Sequence, residues 1–148
     1  MNQINETELR KAIQLLHPDG ELFEVRIIPN SKKKPASGYF KDVEKLIEAF
    51  KLYDLRETNV YITLNQVNSA LFSRQQSNHF VAGANSTQDS EVSGYKWLFV
   101  DLDPERPTGI SSTQEELEQA YTFAAKLSKF LQEYGFEEPV KAVSGNGA

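Results

Sequence analysis

Two aspartates separated by one leucine, Asp101 and Asp103, end the apolar run of residues 96–103, Lys-Trp-Leu-Phe-Val-Asp-Leu-Asp. Side chains alternate along an extended chain, so residues two apart share a face and the residue between them points away. In that arrangement Leu102 turns into a core and the two carboxylates converge. Paired carboxylate oxygens suit hard divalent cations such as Mg2+ or Mn2+. Metal held there can activate an attacking oxygen and stabilise a leaving one in phosphoryl transfer. The same residues also read as a turn residue before Pro104 and a capping or salt-bridged acid at Asp101. Spacing alone leaves both readings open.

Three other groups of residues have types that bear on chemistry. Ser144-Gly145-Asn146-Gly147 offers small residues whose backbone amides can approach a phosphate closely, and reads equally as an ordinary glycine-rich turn. Lys32, Lys33 and Lys34 read first as a solvated loop and second as a nucleic-acid contact. His17 and His79 lie in turn and loop contexts without neighbouring ligands in sequence and are assigned to no metal site.

These residues need elements to position them. Asn5 followed by Glu8 predicts a capping box, and Leu9, Ala12, Ile13 and Leu16 continue it as a helix of about three turns. The turn formers of residues 17–20 end that helix, and residues 22–28 read as a strand. Residues 29–35 form a loop, and Ser37-Gly38-Tyr39-Phe40 returns as the second strand of a hairpin. Asp42 caps a second helix with Val43, Leu46, Ile47 and Phe50 on one face. Residues 59–65, rich in β-branched and aromatic types, predict the next strand, and residues 69–75 a short helix.

Periodicity is then lost over residues 77–93, where Asn, Ser, Gly and Gln predominate, which predicts a long mobile connection. The near-continuous apolar run of residues 96–103 predicts a central strand buried on both faces. A third helix follows, with Ser112 and Glu115 as a capping box, a buried stripe of Leu117, Ala120, Ala124, Leu127, Leu131 and Tyr134, and Gly135 at its C-terminal end. Residues 139–143 predict a short last strand. Strands and helices mixed in this way indicate an α/β or α+β domain.

Composition sets outer bounds. The 148 residues are 39% hydrophobic and 11% aromatic, enough to build a core. No cysteine is present, which excludes a disulfide framework, a thiolate nucleophile and a sulfur-ligated zinc site. No apolar run approaches the ~18 residues of a membrane span, and the polar first residues do not resemble a signal segment, so a soluble, cytoplasmic protein without a membrane partner is expected. The net charge of -5 lacks the basic excess of a free-standing nucleic-acid binder.

The stretch from Trp97 through Asp101-Leu102-Asp103-Pro104-Glu105-Arg106-Pro107-Thr108-Gly109-Ile110-Ser111, followed at a helix's distance by Ser144-Gly145-Asn146-Gly147, resembles the primase-polymerase domains of phage and plasmid replication proteins, members of the archaeo-eukaryotic primase superfamily. Residues 59–65 and 37–40 match the same pattern, so the resemblance spans most of the chain. It implies an α+β fold: an α/β lobe over residues 1–76, a flexible connection over 77–95, and from 96 to 148 the start of an RRM-like catalytic lobe.

The family's aspartate pair, ligands for catalytic Mg2+ or Mn2+, falls on Asp101 and Asp103. Arg106 would neutralise phosphate charge, and Ser144, Gly145, Asn146 and Gly147 would lie against the nucleotide. The implied activity is a DNA-dependent nucleotidyltransferase of a mobile-element replication protein. Its implied partners are nucleoside triphosphates, a single-stranded DNA template and a helicase domain or subunit. The family's small-x-His motif reaches its first two positions at Gly147 and Ala148, and its third, acidic motif is not among these residues. The resemblance therefore implies a C-terminally truncated piece of a longer enzyme, inactive in this form.

Two alternatives are carried forward. A non-catalytic nucleotide-binding or interaction module would keep the fold without turnover. A haloacid dehalogenase-type phosphatase also opens on an apolar run and an aspartate pair, but usually carries Thr or Val where this chain has Glu105, and here a full α/β region precedes the motif.

Overall fold

The computed structural model describes residues 4–105 and 109–142, apart from the side chain of Asp19. It is a mixed α+β structure with antiparallel sheets and three α-helices, and it divides into two compact units, Met1–Leu98 and Phe99–Ala148.

The first unit is built on strand β1 (Phe23–Pro29), flanked by β2 (Ala36–Phe40) and β3 (Thr58–Ile62). With β5 (Val81–Ala82) they form a four-stranded sheet of order β3-β1-β2-β5, every pairing antiparallel. A second, two-stranded ladder joins β4 (Gln66–Val67) to β6 (Val92–Gly94). The alternation of β1 sends Phe23, Val25 and Ile27 to one face, where helices α1 (Glu6–Leu16) and α2 (Val43–Lys51) cover them. Both helices start where the sequence places their caps. Asn5 Oδ1 accepts the Glu8 N–H at 3.2 Å, and Asp42 Oδ1 accepts the Glu44 N–H at 2.7 Å. Each such cap satisfies an amide that the helix itself cannot, worth ~1 kcal/mol.

The resulting core joins Ile13, Phe23, Val25, Ile27, Phe40, Leu46, Ala49 and Phe50, all buried. Phe80 packs on its edge, its ring centroid 5.2 Å from Phe40, 5.3 Å from Phe50 and 5.4 Å from Tyr53. Bringing residues 79–80 that close to β2 requires Gly38: a Cβ there would sit 2.8 Å from the His79 carbonyl oxygen and 2.8 Å from the Phe40 ring. Residues 77–93 are thus anchored by isolated contacts, which no periodic pattern announces. A smaller cluster of Leu22, Tyr39, Val67 and Leu71 lies apart from the main core, beside a 3-10 helix over Ser69–Ser73, where the sequence predicts a short helix over residues 69–75.

Residues 96–103 are not the predicted central strand. No ladder includes them among the described residues, and Leu98 and Phe99 are 59% and 73% exposed. Asn65 accounts for the start of this segment. Its side-chain oxygen accepts the N–H groups of Lys96 and Trp97 at 2.8 and 2.9 Å, and its amide donates to the Trp97 carbonyl at 3.1 Å. One side chain thereby takes the place of a neighbouring strand for two residues, and beyond it the run has no ladder partner. An apolar run states what a segment can bury, whereas a strand also needs a partner for its backbone.

In the second unit, α3 (Gln114–Glu133) starts one residue later than predicted. Thr113 Oγ1 accepts the Glu116 N–H at 3.2 Å while Glu116 Oε2 accepts the Thr113 N–H at 2.7 Å, so the capping box belongs to Thr113 and Glu116 rather than Ser112 and Glu115. Gly135 follows its end with φ of +88°, the left-handed conformation that stops a helix. The predicted stripe is half-buried at Leu117, Ala120, Ala124, Leu127 and Leu131, and Tyr134 is exposed. Residues 136–142 carry no strand, so the predicted last strand is absent over 139–142, and Val143 lies outside the described residues.

Candidate functional site

Asp101 and Asp103 sit in an irregular stretch of the second unit ahead of α3. Burial alternates along it: Asp101 is exposed, Leu102 half-buried, Asp103 exposed and Pro104 half-buried. This preserves the pattern expected of an extended segment, with both carboxylates reachable from solvent. A hard divalent cation accepts such a donor pair, with water completing its shell. No cluster of three or more His, Cys, Asp or Glu able to hold a metal exists among the described residues. Arg106 and the tail Ser144, Gly145, Asn146 and Gly147 lie outside the described residues.

No family model, curated protein or solved structure matches this chain. No helix among the described residues is long and apolar enough to cross a membrane.

The two histidines take structural roles. His17 is buried against Phe23, the ring centroids 5.1 Å apart, and its Nε2–H donates to the Thr63 carbonyl at 2.6 Å. Burial holds its pKa below the ordinary value for an imidazole. His79 makes a local contact from Nδ1 to the Ser77 carbonyl oxygen at 2.9 Å.

The most elaborate polar assembly went unread in the sequence. Glu24 lies on the sheet face opposite the helices and is only 1% exposed. Its carboxylate accepts the Ser37 hydroxyl, in a short contact, and the Thr87 N–H at 2.9 Å. Around it, the Tyr39 hydroxyl lies 3.0 Å from Thr87 Oγ1, Gln75 Nε2 donates to the Ser37 carbonyl at 2.7 Å, and Arg74 pairs with Glu91 while its Nη1 lies 3.5 Å from the Tyr39 hydroxyl. Burial pushes the Tyr39 hydroxyl pKa up, whereas the Arg74 hydrogen bond holds the Glu91 carboxyl down. Alternation along β1 reveals that Glu24 faces away from the helices. It cannot reveal that the face is covered, because the cover comes from residues 74–91, far along the chain. The assembly fixes that segment to the sheet and leaves Glu24 no free lone pair aimed at solvent, so it serves as a buried anchor.

Proposed function

We propose that this chain contributes the metal-binding aspartates of a template-directed nucleotidyltransferase of the primase-polymerase kind. The observation that carries the reading is the Asp101-Leu102-Asp103 element within the longer run through Pro104, Arg106 and Pro107. Its support from geometry is the alternation that leaves both carboxylates exposed on either side of a half-buried leucine. Asp101 and Asp103 would hold Mg2+ or Mn2+, which when bound lowers the barrier to attack of a 3′-hydroxyl on the α-phosphate of a triphosphate. The aspartates themselves orient and neutralise; they take no proton in this scheme.

Template-directed extension of a primer tests the proposal. A chain continued through the histidine and acidic motifs implied by the resemblance should extend a primer with Mg2+ or Mn2+, and Asp101→Asn or Asp103→Asn should reduce extension to background. Extension untouched by either substitution would overturn it. Triphosphate binding without turnover in the continued chain would favour the interaction-module reading instead.

A further inference from the structure

Helix α3 carries a second apolar strip beside its half-buried stripe. Phe123, Leu127, Phe130 and Tyr134 recur at intervals of four, three and four residues, which brings them onto one narrow face of the helix. Leu127 is half-buried where the strip borders the stripe, and the three aromatics are exposed, Phe123 by 57%, Phe130 by 51% and Tyr134 by 71%. Phe130 and Tyr134 already meet in a tilted pair with centroids 4.9 Å apart. Alternating intervals of four and three are those of the seam between two paired helices. A contiguous row of aromatics left in water marks a surface that another element covers.

Charge on the same helix says what that element is. Glu115, Glu116 and Glu118 lie in its first turns, whereas Lys126 and Lys129 lie in its second half. Two parallel copies would bring the acidic turns together and align the helix dipoles; two antiparallel copies avoid both. Lys126 and Glu133 flank the strip on one side, both exposed. Seven residues separate them, about 10 Å along the axis, too far for a pair within one helix. Neither pairs with a described residue; the ion pair described nearby joins Lys141 to Glu138.

We propose that the aromatic strip of α3 pairs with the same strip of a second copy of this chain, the two helices antiparallel. About a twofold axis level with residues 128 and 129, Phe123 meets the partner's Tyr134 and Leu127 meets the partner's Phe130. The same register sets Lys126 beside the partner's Glu133, and twofold symmetry repeats that ion pair. Covering the exposed parts of the six aromatics removes roughly 700 Å² from water before the flanking side chains are added. A contact of that size is weak and reversible, with a dissociation constant on the order of 10–100 µM. It involves neither metal nor triphosphate, so it stands or falls apart from the Asp101 and Asp103 reading.

Sedimentation velocity of the intact chain from about 5 to about 500 µM tests the proposal. A monomer–dimer equilibrium is expected, and Phe130→Ser should weaken it about a hundredfold, since each dimer loses two rings from its seam. Lys126→Glu alone and Glu133→Lys alone should each weaken it about tenfold by setting like charges face to face. An equimolar mixture of those two variants should return to the wild-type affinity, because each chain then meets its complement. All three positions are exposed, so the variants keep the fold, which far-ultraviolet dichroism checks. A chain monomeric throughout the range would assign the strip to a partner of another kind and overturn the proposal. So would a dimer indifferent to Phe130→Ser, or a mixture of the charge variants that associates no better than either alone.

Discussion

Helices α2 and α3 both carry apolar residues at helical spacing, yet the burial of those residues differs. On α2, Leu46, Ile47, Ala49 and Phe50 are buried, whereas on α3 the stripe from Leu117 to Leu131 is half-buried, and no described residue of the second unit is fully buried. The first unit has what the second lacks among its described residues: a sheet whose strands are far apart in sequence and whose faces different elements close. Amphipathic spacing creates a helix with a face to cover, and the cover itself comes from tertiary pairing. Aromatic residues mark the contrast. Phe40, Phe50 and Phe80 meet inside the first unit, whereas Phe130 and Tyr134 of the second meet only each other in a tilted pair, centroids 4.9 Å apart and both exposed.

This contrast is open to direct challenge by substitution. Leu46→Ala should cost ~3 kcal/mol of stability through lost burial and a residual cavity, against ~1 kcal/mol for Leu127→Ala on α3. Urea unfolding followed by the fluorescence of Trp97 for the first unit and by hydrogen exchange of the α3 amides for the second would compare them. Equal losses would show that the two units are packed alike. Next in size, Glu24→Ala should cost ~2 kcal/mol, because the Ser37 hydroxyl and Thr87 amide lose a charged acceptor. Hydrogen exchange at Thr87 should accelerate while that of α2 stays slow. Unchanged exchange at Thr87 would mean that Glu24 does not anchor residues 77–93, and would return that segment to the mobile connection expected from its composition.

A smaller effect, ~1 kcal/mol, is expected for Thr113→Ala, seen as a lower melting temperature of α3. A loss at Ser112→Ala with none at Thr113→Ala would restore the capping box one residue earlier. The pH dependence sharpens the comparison further. The His17 pKa is lowered in the folded state, so its contribution is complete above the unfolded value near 6.5 and is lost as pH falls from there through the folded value. Stability of the first unit should decline over that window, and His17→Gln should flatten the decline. The second unit has no histidine, so hydrogen exchange of the α3 amides should show no His17-dependent part.

Elements with local signals were legible in the sequence. The Asn5 and Asp42 caps, the β1–β2 hairpin and the stripe on α2 each follow from residues a few positions apart. What was not legible depends on distant partners. Residues 96–103 carry the composition of a buried strand, but Asn65 provides only a two-residue substitute for the neighbour that a strand requires. Glu24 looks like any solvent-facing acid until Thr87 closes over it. The Asp101 and Asp103 pair is proposed from its spacing alone, whereas the burial of Glu24 depends on the register that sets it opposite Tyr39 and beneath residues 74–91.

The central functional claim is that Asp101 and Asp103 together form a divalent-metal site. Titration of the labelled chain with Mn2+, followed by paramagnetic broadening of its amide resonances, tests it most directly. Two carboxylates supply part of a hard-ion shell and water the rest, so modest affinity is predicted, with broadening centred on residues 101–103 and abolished by Asp101→Asn combined with Asp103→Asn. Broadening centred elsewhere, or unchanged in that double variant, would contradict the claim.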